Sequence, residues 1–208
     1  MLTVVDSGTC NLDSVAQAFR RVGARFRITA DAGDLVDADA IVLPGVGAFG
    51  DAMASLAAKD MIAPLRAAAA AGTPLLGICL GMQLLADESA EFGRHAGLGL
   101  VPGRVMRLAP ARTGERVPNV GWCDVAPRPR SRLFDGIGAA TSFYFVHGYH
   151  LVCAEPADSV ATIDYGEAPV TVAVERGNLF GIQFHPELSQ DAGLDLLAAF
   201  VHRVQGRA

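Results

Sequence analysis

Along the first half of the chain, short apolar blocks alternate with apolar positions at helical spacing. Residues 2–5 (LTVV) form one such block, ending at Asp6. Asn11 then stands as an N-cap before Leu12, Val15, Ala16 and Phe19, which share one helical face, and Gly23 stops that helix. Residues 25–29 and 40–43 read as further strands. A helical stretch starts near Asp51, is interrupted at Pro64, and continues through the Ala-rich 65–71 to Gly72. Residues 74–78 (PLLGI) are the next strand and 80–86 the next helix. Strands apolar on both faces, alternating with helices, predict an α/β fold: a mainly parallel central sheet with helices on both faces.

After Gly97 the texture changes. Residues 104–108, 143–146, 170–175 and 179–184 are β-rich, and Arg176-Gly177-Asn178 reads as a tight hairpin turn, which predicts an antiparallel C-terminal portion. Leu194, Leu197, Ala198 and Val201 mark a closing helix over 191–204. With no internal repeat, low-complexity linker or composition break, residues 1–208 are expected to form one domain.

Composition narrows the function classes. Of 208 residues 51% are hydrophobic, and mean hydropathy is +0.31, enough to build a large core and to exclude a disordered chain. A net charge of −5 without Lys/Arg runs argues against nucleic acid or an anionic membrane surface as the main partner. The start, MLTVVDSGTC, lacks the basic region of a signal peptide, and no apolar run is long enough to span a membrane. The four cysteines (Cys10, Cys79, Cys123, Cys153) contain no CxxC and read as reduced thiols, consistent with a cytoplasmic protein. No His/Cys cluster has metal-ligand spacing, so neither a metal nor another cofactor is expected.

The sharpest local feature is Gly77-Ile78-Cys79-Leu80-Gly81, directly after one apolar strand and opening a helix. G-x-C-x-G is the thiol counterpart of the nucleophile elbow, in which small residues on either side permit a turn too tight for a side chain. A helix N-terminus also favours a thiolate. A buried structural cysteine is the competing reading. The second feature is His185-Pro186-Glu187, after the alternating strand 180–184. A histidine there can point at the same sheet edge as Cys79, and Glu187 can reach back to fix its tautomer. The set reads as nucleophile, general base then acid, and orienting carboxylate.

Pro44-Gly45-Val46-Gly47-Ala48-Phe49-Gly50 satisfies G-x-G-x-x-G, but the acid of a dinucleotide site is missing, since an Ala run occupies its expected position. The loop reads instead as backbone donors around Val46 and Gly47 for an oxyanion, with the N–H of Leu80 as the other donor. Gln83, one helical turn beyond Cys79, reads equally as a substrate contact and as a solvated helix position. His147 and His150 read as structural or rim residues.

Together these motifs resemble the class I (triad) glutamine amidotransferases, and among them the family of glutaminase subunits of imidazole glycerol phosphate synthase. The likeness runs nearly end to end: Asp6-Ser7-Gly8 with Asn11–Val15, the PGVGAF loop, GICLGMQLL at 77–85, GLGLVPG at 97–103, Val120-Gly121-Trp122, YFVHGY at 144–149 and GIQFHPE at 181–187. It implies a triad of Cys79, His185 and Glu187 and a glutamine held by the Gly47 region, Gln83, and backbone at Gly148 and Tyr149. It also implies an ammonia-using partner, a (βα)₈-barrel cyclase in a heterodimer. Two departures stand on the face such subunits turn to their partner. The family pattern Pro-His-x-Gly-Trp-Asn is here Pro118-Asn119-Val120-Gly121-Trp122-Cys123, and the basic residue after His-Pro-Glu is Leu188. Asn119, Trp122, Cys123 and Leu188 are therefore the expected interface. A glutaminase feeding a different synthase, a stand-alone thiol hydrolase and a catalytically silent binding module are the alternatives.

Overall fold

A computed structural model describes residues 1–8, 10–129, 131–138 and 140–206. The strands are β1 (Leu2–Val5), β2 (Phe26–Thr29), β3 (Ala40–Gly45), β4 (Leu75–Cys79), β5 (Glu88–Ser89), β6 (His95–Ala96), β7 (Gly103–Arg107), β8 (Asn119–Pro127), β9 (Thr141–His147), β10 (Tyr149–Cys153), β11 (Ser159–Ile163), β12 (Val170–Arg176) and β13 (Leu179–Ile182). The helices are α1 (Leu12–Arg21), α2 (Phe49–Ala58), α3 (Ile62–Ala70), α4 (Leu80–Leu84) and α5 (Gln190–Gln205).

Nine strands form the main sheet in the order β2-β1-β3-β4-β13-β12-β11-β8-β9. Pairing is parallel from β2 to β13 and antiparallel from there on. A smaller sheet, β10-β7-β5-β6, carries the remaining strands. Alternate residues of the same strands enter different cores: Val42 packs with Phe19, Phe180 and Phe200, whereas Ile41 and Leu43 pack with Phe49, Leu56 and Leu65. The two clusters therefore lie on opposite faces of the sheet, one under α1 and α5, the other under α2 and α3.

Local chemistry explains the helix ends. The Asn11 side chain accepts from the Ser14 N–H at 3.4 Å, Asp13 lies in the first turn of α1, and Arg20 and Arg21 lie in its last, each matching the helix dipole. The helical break differs from expectation. It falls at Lys59–Met61, where Asp60 adopts φ 54°, and Pro64 sits inside the first turn of α3. Proline is tolerated there because the first N–H groups of a helix have no intrahelical acceptor to lose. Strands β8 and β10 lie outside the expected set, because their apolar positions are interleaved with Gly, Asp, Cys and His on half-exposed faces, and β11 lies outside it because Ser159 and Thr162 break up a short, largely buried strand.

Register brings the chemistry together. In the parallel half, Gly45 pairs with Cys79 and Ile78 with Ile182, so the chain leaves β3, β4 and β13 at one sheet edge with Val46, Leu80 and Gln183. That C-terminal edge is where α/β sheets place their ligand crevices. Among the described residues, no helix is long and apolar enough to cross a membrane.

Candidate active site

Cys79 joins β4 to α4 at φ 54°, ψ −111°, a conformation that a non-glycine residue holds only where its surroundings enforce it. The glycines around it are required sterically. A Cβ on Gly77 would lie 2.6 Å from the Gly81 carbonyl carbon, and one on Gly81 would run into the Leu43 carbonyl oxygen. The turn thus wedges α4 against β3 and β4 and holds the cysteine 6% exposed. Its Sγ lies 3.9 Å from the Val146 carbonyl oxygen and 3.7 Å from Gln183 Nε2.

His185 follows β13 by three positions. Its N–H donates to the Tyr144 carbonyl at 2.9 Å and its own carbonyl accepts from Ser189 Oγ at 2.6 Å, so the backbone is pinned on both sides. Nδ1 pairs with Glu187 Oε1 at 2.7 Å, both side chains being nearly buried, which leaves Nε2 for Cys79. Burial opposes a charge on this imidazole, but hydrogen bonds with Cys79 and Glu187 outweigh it and push its pKa up to about 10. The arrangement favours an imidazolium beside the Cys79 sulfur, with the carboxylate compensating the cation. Glu187 Oε2 is buried without a partner among the described residues.

Two cavities meet at this array. One, about 190 Å³, is lined by Cys79 and His185 together with Val46, Gly47, Leu80, Gln83, Gly148 and Tyr149, so it gathers every residue expected to hold an oxyanion or substrate. The other, about 230 Å³, is bounded by Cys10, Asn11, Glu187 and Leu188, and shares Val46, Val146 and His185 with the first. Gly47 takes φ +96°, a left-handed conformation that glycine adopts without strain. Gln83 is buried rather than solvated. It donates both amide hydrogens within the protein, to the Tyr149 carbonyl and to Gln183 Oε1, each at 2.9 Å.

The four expected interface residues are not equivalent. Trp122 is 48% exposed, its ring packed edge-on against Tyr144 with centroids 5.9 Å apart, and Leu188 is 46% exposed. Asn119 and Cys123 have the opposite parity on β8 and contact each other, Asn119 Nδ2 lying 3.6 Å from Cys123 Sγ. Asn119 also reaches His147 Nε2 at 3.2 Å. Burial pushes the His147 pKa down to about 4, so this imidazole is neutral.

Sequence reasoning missed Gln183 and Glu91 as members of the site. Glu91 is a nearly buried wall of the smaller cavity, and its Oε2 accepts from the Phe49 N–H at 2.7 Å. It lies in a loop where no periodicity marks it. Gln183 shares strand parity with His185, a polar side chain interrupting an apolar run, which is the signal that could have singled it out.

The family described as "Glutamine amidotransferase class-I" matches residues 3–204. The chain is similar to "Imidazole glycerol phosphate synthase subunit HisH" of Moorella thermoacetica, 48% identical over 200 residues, covering 96% of this chain and 93% of that protein. The protein of the same name from Methanothermobacter thermautotrophicus is 45% identical over 207 residues, covering 99% and 100%. In fold it resembles a chain in "Structure of PurLQS from Thermotoga maritima", with TM-score 0.76, 21% identity and 98% coverage of each chain. A cysteine elbow, a histidine–carboxylate pair and a shared cavity at the sheet edge, in a chain so closely matched over its length, lead to one conclusion: it belongs to the class-I glutamine amidotransferase family, alongside the imidazole glycerol phosphate synthase subunits.

Proposed function

We propose that this chain, residues 1–208 acting as one domain, hydrolyses glutamine to glutamate and ammonia as the glutaminase subunit of imidazole glycerol phosphate synthase. The observation that carries the reading is the Cys79–His185–Glu187 array opening into a cavity lined by Gly47, Leu80 and Gln83. Cys79 thiolate attacks the side-chain carboxamide carbon, and backbone N–H groups of the 46–47 loop and Leu80 hold the resulting oxyanion. His185 gives its proton to the departing ammonia, leaving a γ-glutamyl thioester on Cys79. The neutral His185 then takes a proton from water as it attacks the thioester, and glutamate leaves with the thiolate restored. Glu187 keeps the imidazole oriented and stabilises its cationic form. The Glu91 carboxylate supplies a negative wall suited to the ammonium group of free glutamine.

Ammonia released into bulk water is protonated and lost as a nucleophile, so a partner must receive it. Leu188 and Val146 border one cavity, Val146 pairs with Val120 across β8 and β9, and all three are exposed apolar side chains, with Trp122 beside them on β8. An apolar collar around the catalytic mouth suits a docked subunit. The partner we infer is a (βα)₈-barrel cyclase that closes the imidazole ring, in a cytoplasmic heterodimer. With Leu188 in place of a basic residue, that contact leans on apolar packing.

Ammonia release measured with and without the cyclase subunit tests the reading. Glutamine turnover should rise when the cyclase is added. Trp122→Ala should stay folded by circular dichroism and weaken the complex by about 2 kcal/mol, the loss typical of a buried aromatic anchor. Turnover that ignores every cyclase, or an unfolded Trp122→Ala chain, would contradict the proposed docking face.

A further inference from the structure

The mechanism above uses the Cys79 sulfur but not the amide beside it. Gln183 is completely buried between β13 and His185, with Nε2 3.7 Å from Cys79 Sγ. Which end of a carboxamide faces a neighbour follows from its hydrogen-bond network. The fixed point here is the Tyr149 backbone carbonyl, which can only accept. It receives Gln83 Nε2 at 2.9 Å and His147 Nδ1 at 2.9 Å. Gln83 must therefore present its NH₂ group to that carbonyl, and the second hydrogen of the same group goes to Gln183 Oε1 at 2.9 Å. With its oxygen engaged in this way, Gln183 turns its NH₂ to the sulfur. Reversing Gln83 would set oxygen against the Tyr149 carbonyl, and reversing Gln183 would set two NH₂ groups together.

His147 meets the same carbonyl from the other side. Held neutral by burial, it carries one ring proton, which the Tyr149 carbonyl takes. Its Nε2 is then the acceptor for Asn119 Nδ2. The Tyr149 carbonyl thus accepts from His147 on one side and from Gln83 on the other, and from Gln83 the donors run on through Gln183 to the sulfur.

We propose that Gln183 is a further catalytic residue: its amide N–H donates to the Cys79 sulfur and stabilises the negative charge there, while Gln83 and the Tyr149 carbonyl hold it donor-first. The inference rests on Cys79 being the nucleophile, as argued above. Sulfur carries that charge twice in each cycle, as the attacking thiolate and again as the leaving group when the thioester breaks. A donor aimed at it helps populate the first and stabilise the second.

The test is alkylation of Cys79 by iodoacetamide in the full-length chain across a pH series, read by peptide mapping. Gln183→Leu should slow alkylation near neutral pH by about 10- to 100-fold, the range expected for a hydrogen bond to a charged group, with recovery at higher pH. Gln183→Glu keeps the shape and still accepts from Gln83, yet turns a negative oxygen to the sulfur, so it should be slower still. For glutamine turnover in the complex, kcat should fall with KM nearly unchanged. A side chain that merely fills space predicts parent-like alkylation by Gln183→Glu, and that result would overturn the proposal. Should either variant fail to fold, the unmutated chain answers by NMR. The Gln183 side-chain amide protons should move as Cys79 titrates and stay still in Cys79→Ala; signals indifferent to pH in the parent would refute the contact. Iodoacetamide requires no glutamine pocket, so an intact alkylation response without ammonia release would count against the glutaminase reading and leave this one standing.

Discussion

Replacing Cys79 with alanine is expected to abolish ammonia release from glutamine, lowering kcat at least about 10⁴-fold, because no covalent intermediate can then form. Cys79→Ser should fare little better, since a hydroxyl in the same strained turn is a far weaker nucleophile beside an imidazole matched to a thiol. The other three cysteines do not offer the same chemistry. Burial raises the thiol pKa of Cys10 and Cys123, and pushes that of Cys153 up to about 11, so each stays largely protonated near neutrality. A glutamine-analogue electrophile should therefore label Cys79. Steady-state ammonia assays on the two variants, with circular dichroism to establish folding, check the expectation. Wild-type turnover by Cys79→Ala would remove the residue from the mechanism.

His185→Ala is expected to be as damaging as loss of the nucleophile, because both formation and breakdown of the thioester pass a proton through this ring. The double variant Cys79→Ala with His185→Ala should be no worse than either alone, since the two act as a unit. Glu187→Gln should be milder, losing roughly 10²- to 10⁴-fold, because the base remains while its orientation and charge compensation weaken. The 2.7 Å contact from Glu187 Oε1 to His185 Nδ1 helps hold the imidazole pKa up at about 10. Without that carboxylate the pKa must fall, so in Glu187→Gln the His185 ring loses its proton at lower pH than in the parent. Single-turnover rates of ammonia release and an NMR titration of the His185 ring measure both effects. A Glu187→Gln chain with parent rate and parent titration would show that the carboxylate plays no part.

Much of the fold was legible in the sequence because its parallel half speaks in strong periodicities. Buried strands such as 40–43 and 74–78 are continuous apolar blocks, and a sheet covered on both faces permits little else. The cysteine elbow was legible for a steric reason: Gly77 and Gly81 are demanded by backbone contacts that the fold itself creates. Strands β8 and β10 were not, because half-exposed strands carrying Gly, Asp, Cys or His lack an apolar rhythm. The parity of Asn119 and Cys123 against Trp122 likewise needed the β8 pairing, without which their shared stretch reads as one surface. Gln83 could not be settled from spacing, since a helix position one turn from Cys79 faces solvent or cavity depending on what packs above it. Here β10 packs there, and its Tyr149 carbonyl claims the amide. Glu91 comes to the cavity through a loop, where no repeat foretells direction.

The central claim is that glutamine is cleaved through an acyl-enzyme on Cys79, and acid-quenched peptide mapping tests it most directly. The chain, mixed with its cyclase partner and saturating glutamine, is quenched during turnover, digested at low pH and examined by mass spectrometry for a γ-glutamyl group. The account predicts that group on the peptide containing Cys79, with none on Cys10, Cys123 or Cys153, and its absence from the His185→Ala chain. A glutamyl group on another cysteine, or steady ammonia release from a Cys79→Ala chain, would contradict it.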